Sequence, residues 1–272
     1  MHERIIPAIA MGLALMGCAP LRGDGGLQLA AASAAQDELR ALWAPSRRLA
    51  SRDDGIVRVV GPQTACSGAM VANDLVLTAH HCVVQRGANG EYLPALVVPS
   101  AVEVQLGGDY LPWGHVEPRA ILAPACGYAG GAGDVAVLIL DRKLERIQPL
   151  SLRWDAPLAG QDIAPIGFGR CALSPQGILR RERQGGAIGL VTAGVFEAEA
   201  SLCPGDSGAP AVDRVTREIV GVVSLSAMDF DESTRGRSVF ARVDGLASLI
   251  AQALLVADGT AAADEPPVGC SP

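Results

Sequence analysis

The chain has 272 residues and a formal net charge of −7 at pH 7. That length is enough for one or two domains with a large core. Hydrophobic residues make up 49% of the sequence and aromatic residues only 4%, so we expect an aliphatic core. The acidic balance argues against a nucleic-acid partner, because phosphate groups require a basic face.

The turn-forming residues and the cysteines narrow the class further. A content of 32 glycines and 18 prolines fits many short strands joined by turns. Seven cysteines in a chain of this size indicate an oxidising compartment.

The N-terminus carries an apolar run, residues 5–16, that has the length of a signal peptide and is far shorter than a membrane span. It ends at Leu15-Met16-Gly17-Cys18. These residues resemble a bacterial lipobox, which implies a lipoprotein signal peptide over residues 1–18 and a lipid on Cys18. An ordinary cleaved signal peptide, or a buried helix with a chance cysteine, is the alternative. Ala19 is not the aspartate associated with inner-membrane retention. We therefore expect a lipid-anchored protein of the bacterial cell envelope, in the outer membrane and facing the periplasm or the cell surface.

Residues 19–54 are small, polar and rich in alanine, and are expected to form a tether. Arg47 and Arg48 within it suit either a processing site or solvated linker charge. From residue 55 onward, short apolar or alternating runs predict strands. The predicted strands are 56–60, 66–71, 75–78, 96–98, 102–106, 119–122 and 134–140, then, after a connector at 149–158, 163–168, 185–195, 209–212, 219–224 and 239–243. Residues 245–256 have apolar residues at helical spacing.

Three segments hold residue types suited to nucleophilic catalysis. Ser207 lies between glycines in Gly205-Asp206-Ser207-Gly208, and an exposed nucleophile with backbone donors beside it requires such a turn. His81 adjoins Cys82 at the end of an apolar run, and Asp134 precedes a wholly apolar strand. Each has an ordinary structural explanation, namely a glycine turn, a core histidine and a capping carboxylate. Three such coincidences in this order are improbable.

The order His81, Asp134, Ser207, with these motifs, resembles the chymotrypsin/trypsin-like serine proteases over about residues 55–256. The resemblance implies an all-β fold of two six-stranded antiparallel β-barrels, about residues 55–145 and 155–245, with a short C-terminal helix and a tail at 257–272. It also implies a serine endopeptidase for protein or peptide substrates, needing no cofactor or metal, and we expect a monomer. Ser207 would be the nucleophile, His81 the base and Asp134 its orienting carboxylate. The N–H groups of Gly205 and Ser207 would form the oxyanion hole.

Two rival functions remain open: a catalytically silent homologue that binds protein ligands through the same cleft, and an acyl transferase or esterase with the same triad. A metal site built from His80, His81 and Cys82 is a further alternative. It is disfavoured because consecutive side chains point in different directions.

The resemblance implies a disulfide between Cys66 and Cys82. The resemblance also places Cys171 in a loop from which it could reach Cys203, and Cys126 would then remain for Cys270, although six cysteines allow other pairings. Asp206 occupies the position of the carboxylate that, in the trypsin branch, pairs with a new N-terminal amine. No Ile-Val-Gly-Gly sequence precedes Cys66, so we expect an active form that is assembled without that switch.

The resemblance also assigns the primary specificity pocket. Ser201, six residues before Ser207, would form its floor, and Ser224, Ser226 and Ser238 would contribute to its walls. An uncharged floor disfavours Lys or Arg, because an unpaired buried cation is costly. The serines at 226 and 238 would narrow the slot, which favours small or medium uncharged residues before the scissile bond. Arg237 would recruit Glu or Asp if it turned inward, and is otherwise a solvated charge.

Overall fold

Two curled antiparallel sheets of seven strands each form the body of the protein in the computed structural model. The structure describes residues 52–109, 111–124, 128–171, 177–226 and 236–263, with the backbone alone at residue 129. The tether up to residue 51, the C-terminal tail beyond residue 263, and Cys18, Cys126 and Cys270 lie outside the described residues. Within the described ranges, no helix is both long enough and apolar enough to cross a membrane.

The first half of the chain forms strands β1 to β9. Their bounds are β1 Ile56–Val60, β2 Ala65–Ala72, β3 Leu75–Thr78, β4 Val84–Arg86, β5 Tyr92–Leu96, β6 Glu103–Leu106, β7 Gly114–Val116, β8 Pro118–Leu122 and β9 Ala136–Leu140. The first sheet has the order β7-β6-β1-β2-β3-β9-β8, and β4 pairs with β5 in a separate two-stranded sheet.

The second half forms the other sheet and the helix. The bounds are β10 Ile163–Gly167, β11 Arg181–Glu182, β12 Ile188–Val191, β13 Val195–Ala200, β14 Pro210–Asp213, β15 Ile219–Ser226, β16 Gly236–Arg242 and α1 Ala247–Ala257. The strand order is β11-β10-β14-β15-β16-β13-β12.

The two half-barrels and the C-terminal helix confirm the predicted fold class, and each sheet has seven strands instead of six. The extra strand in the first sheet arises where the chain turns a corner. β7 and β8, the two edge strands, are separated only by Glu117, so one bent segment pairs with β6 at its start and with β9 at its end. In the second sheet the edge strands β11 and β12 likewise belong to one stretch of chain.

The core is aliphatic, as expected. Only two aromatic residues, Phe196 and Phe240, are among the largest fully buried side chains, and their rings stack with centroids 5.0 Å apart. One apolar cluster joins residues of the first sheet to the inner residues of α1, Leu249, Ala253 and Val256. β3 and β9 are buried along their whole length, and the segments that carry His81 and Asp134 adjoin them.

Candidate active site

His81 is presented by a short 3₁₀ turn, His80–Cys82, directly after the fully buried strand β3. The Cys66–Cys82 disulfide, with Cα atoms 6.3 Å apart, ties this turn to β2 and confirms the expected pairing. His81 Nδ1 lies 2.7 Å from Asp134 Oδ2, and the His81 backbone N–H donates to Asp134 Oδ1 over 2.9 Å. Because Asp134 engages Nδ1, Nε2 is the ring nitrogen of His81 that remains for proton transfer.

Asp134 is 1% exposed and stands just before β9. Ser224 Oγ donates a third hydrogen bond to it, at 2.5 Å from Oδ2. Burial by itself raises the pKa of Asp134, but the hydrogen bonds from His81 and Ser224 and the charge of His81 outweigh burial and hold the pKa below its usual value. The carboxylate is therefore ionised and oriented at neutral pH.

Ser207 lies with His81 and Asp134 in the lining of one cleft of about 360 Å³. Its turn requires glycines: Gly205 has φ +102° and Gly208 has φ +78°. A Cβ at Gly208 would lie 2.3 Å from Ser67 O and 2.3 Å from Thr78 Oγ1. Within the described part of the chain, the Ser207 hydroxyl makes no hydrogen bond. Such looseness is common in proteases without bound substrate.

The backbone N–H groups of Gly205 and Ser207 are free of partners among the described residues, whereas Asp206 between them donates to Cys203 O over 2.9 Å. Their direction is set by the preceding carbonyls. Pro204 O accepts from Arg170 N and Asp206 O from Ala209 N, both at 2.9 Å. In a trans peptide the N–H points opposite to the C=O, so both N–H groups are turned away from these anchors. An oxyanion hole requires two such free donors beside the nucleophilic hydroxyl.

Asp206 is fully buried and already has a cationic partner. Arg183 Nε lies 2.9 Å from Asp206 Oδ2, and the Arg183 guanidinium also donates to Gly169 O. Cys203 N–H and Gly169 N–H donate to the same carboxylate over 3.0 and 2.8 Å. Burial raises the pKa of Asp206, and the Arg183 charge and the two N–H groups oppose that rise.

The residues expected around the specificity pocket divide into two pairs. Ser224 and Ser226 line the cleft with Ser207. Ser201 and Ser238 are 1% and 0% exposed and do not belong to the described lining. Ser226 Oγ and Ser238 Oγ are 3.1 Å apart, within hydrogen-bond distance across the β15–β16 ladder.

Two alternatives from the sequence meet direct structural obstacles. Arg237 is exposed and pairs with Glu197, its Nη2 lying 2.5 Å from Oε2, so it does not turn into the cleft. The alternative metal site of His80, His81 and Cys82 lacks its sulfur ligand, because Cys82 is bound to Cys66 in a disulfide and cannot act as a thiolate. The same disulfide removes both sulfurs from the set of Cys66, His81 and Cys82, whose potential ligand atoms lie within 4.8 Å of one another.

The family model described as Trypsin matches residues 50–250. The chain belongs to the trypsin family. Trypsin-family membership supports a hydrolase of the serine protease type, a class that acts on proteins or peptides.

Solved structures show the same fold. A Glu endopeptidase in complex with MPD is 18% identical, with a TM-score of 0.60, covering 79% of this chain and 95% of that one. An inactivated protease paralogue of the scabies mite is 18% identical, with a TM-score of 0.61 and coverage of 79% and 96%. Neuropsin of mouse brain is 18% identical, with a TM-score of 0.57 and coverage of 74% and 95%. At this identity the likeness extends to the fold alone.

Within this trypsin-family site, sequence reasoning missed two residues. Arg183 is one of three arginines in residues 180–183, and nothing in the local pattern distinguishes it. Ser67 is fully buried; its Oγ donates to Gly205 O over 2.7 Å, and its N–H donates to Ser207 O over 2.8 Å. Its place beside Cys66 was the available signal. The structure also confirms the Cys171–Cys203 disulfide, which joins the Ser207 turn to the segment carrying Gly169.

Proposed function

We propose that the protein is an active serine endopeptidase that cleaves peptide bonds through an acyl-enzyme on Ser207. The observation that carries the proposal is the pair of free N–H groups, on Gly205 and Ser207, beside a serine that shares its cleft with the His81–Asp134 pair. Fold alone does not decide activity, since the scabies mite protein of this fold is an inactivated protease paralogue.

The reaction follows from these groups. Ser207 Oγ attacks the scissile carbonyl carbon, and its proton passes to His81 Nε2 while Asp134 stabilises the resulting imidazolium. The carbonyl oxygen takes up negative charge between the two N–H donors; loss of one such donor costs on the order of 100-fold in rate. The C–N bond then breaks, and His81 returns the proton to the leaving amine. A water molecule, activated by His81 in the same way, hydrolyses the ester on Ser207.

We also propose that the site needs no new N-terminus. The place of a cationic partner for Asp206 is taken by Arg183, which is present in the chain from synthesis. At the start of the described chain, Asp53 pairs with Arg217 at 3.0 Å and Asp54 pairs with Arg180 at 2.7 Å.

For the residue before the scissile bond, we propose a preference for small or medium uncharged side chains. The hydroxyl contact between Ser226 and Ser238 supports a narrow slot, and no carboxylate other than the engaged Asp134 and Asp206 lines the described cleft. S226G and S238G should each widen the accepted range toward larger apolar residues. Cleavage mainly after Lys or Arg would contradict the pocket assignment.

The experiment that tests the function is mass spectrometry of the products from a mixed peptide library, comparing wild type with S207A. We expect internal cleavages that disappear in S207A. Ester hydrolysis without any peptide cleavage would instead favour the esterase alternative, and binding of peptides without turnover would favour the silent homologue.

We further propose that a lipid on Cys18 holds the protein at the bacterial outer membrane. The support is the lipobox-like sequence alone, which lies outside the described residues. C18S should release the protein from membranes or block its maturation, because it removes the residue that carries the lipid. A single chain anchors weakly, so firm attachment depends on the several acyl chains of a bacterial lipoprotein. Equal membrane fractionation of C18S and wild type, with normal signal cleavage, would contradict the proposal.

A further inference from the structure

A second depression, of about 200 Å³, borders the hairpin of β4 and β5 next to the cleft. Its polar residues are Gln63, Thr64, Gln85 and Arg86, and Val84 and Val97 belong to its apolar part. Pockets for small molecules usually measure about 300–1,000 Å³, so this one suits a single side chain better than a free ligand.

Arg86 connects the depression to the cleft. Its guanidinium carbon lies 3.7 Å from the centre of the Tyr92 ring, a cation–π contact, and Tyr92 lines the cleft. Tyr92 in turn packs edge-on against His81, with ring centroids 5.7 Å apart. These contacts put the guanidinium within about 10 Å of the His81 ring. An extended peptide covers that distance with about three residues.

The Arg86 charge is not neutralised by any carboxylate among the described residues. Arg86 Nη1 donates a hydrogen bond to Gly90 O over 3.2 Å, which holds one arm of the guanidinium without neutralising its charge. By contrast, Arg183 and Arg237 are ion-paired with Asp206 and Glu197. The Arg86 charge also acts on Tyr128, another residue of the cleft. Burial raises the pKa of Tyr128, and the positive charge of Arg86 opposes that rise.

We propose that this depression is a subsite for an acidic side chain of the substrate, within about three residues of the scissile bond, and that Arg86 is its specificity-determining residue. The inference rests on the proposed endopeptidase function. A Glu or Asp carboxylate would accept from the free guanidinium arm and from the Gln63 amide, whereas a Lys or Arg side chain would be repelled. Tyr92 holds the guanidinium in place by stacking, which limits the entropy lost on binding.

The test uses synthetic peptides in pairs that differ only by Glu or its isostere Gln at one position. In the first arm, the two peptides of each pair compete for the same enzyme, and the ratio of their kcat/KM values is measured. The enzymes are wild type, R86Q, R86K and R142Q, each tested separately. Arg142 is an exposed control of the same charge; its Nη2 donates to His115 O, and it makes no ion pair with a carboxylate among the described residues. In the second arm, retention of the same pairs on immobilised S207A and S207A/R86Q is measured without any turnover.

We expect a Glu-over-Gln preference of about two- to fivefold at a position near the cleavage site, the range of a partly exposed ion pair. It should persist in R142Q, weaken in R86K, which keeps the charge but loses the stacked guanidinium, and vanish in R86Q. It should also shrink at 1 M salt, where the Debye length is about 3 Å. Equal kcat/KM values for the Glu and Gln peptides of every pair would overturn the inference, even if cleavage is efficient. A Glu preference that is unchanged in R86Q would overturn it as well. If wild type cleaves nothing while S207A retains Glu peptides through Arg86, the catalytic proposal fails and the subsite stands.

Discussion

The guanidinium of Arg183 lies 2.9 Å from the carboxylate of Asp206, and the two side chains are 3% and 1% exposed. Asp206 is the residue between the two free N–H donors, so this ion pair supports the turn that carries Ser207. A buried charge that loses its partner is costly, which makes the pair the point on which assembly of the site depends.

Replacing Arg183 should therefore disable and destabilise the protein together. R183Q leaves Asp206 buried without its cation and should lower the free energy of unfolding by about 3–5 kcal/mol. R214Q, which removes an exposed arginine paired with Glu182, should change it by no more than about 0.5 kcal/mol. Urea unfolding measures both, and an R183Q variant as stable as R214Q would contradict the supporting role.

R47Q/R48Q, in which N-terminal processing at that site is blocked, should keep wild-type reactivity of Ser207.

Asp134 should make stability depend on pH in an acidic window. Its pKa is lower folded than unfolded, so its contribution is fully present above the unfolded value and is lost as pH falls through the folded value. D134N removes that contribution, so the stability gap between wild type and D134N should be about 1.5–3 kcal/mol at pH 7 and should begin to narrow as pH falls below about 4. Urea unfolding from pH 7 down to pH 3 measures the gap; a gap that still grows below about pH 4 would contradict the argument.

Gly208 and Gly90 form a matched pair for testing how tightly the Ser207 turn is packed. Both have positive φ, +78° and +81°, but a Cβ at Gly208 meets Ser67 O and Thr78 Oγ1, whereas one at Gly90 meets nothing within 4 Å. G90A should cost only the left-handed backbone penalty, about 1–2 kcal/mol. G208A should cost at least about 2 kcal/mol more, because backbone must move. Equal losses in urea unfolding would show that the turn is looser than its contacts indicate.

Motif-bearing residues could be placed from sequence because each motif has a local conformational requirement. The glycines around Ser207, the buried β3 before His81 and the apolar β9 after Asp134 are all readable locally. β13 was readable too: Phe196, Ala198 and Ala200 alternate with Glu197 and Glu199, yet the expected strand at 185–195 ended where β13 begins. Arg183 was not readable, since only the folded chain shows which of the neighbouring arginines reaches Asp206.

The most direct test of the central claim is covalent labelling of Ser207 by a fluorophosphonate probe, quantified by intact-protein mass spectrometry. Wild type should label stoichiometrically, and S207A and H81A should label only in traces. H80A should label substantially, because His80, although buried, packs against Tyr128 with ring centroids 5.0 Å apart and has no hydrogen bond to Asp134 among the described residues. The account would be contradicted if H81A labelled normally while H80A did not label, or if the wild type did not label at all.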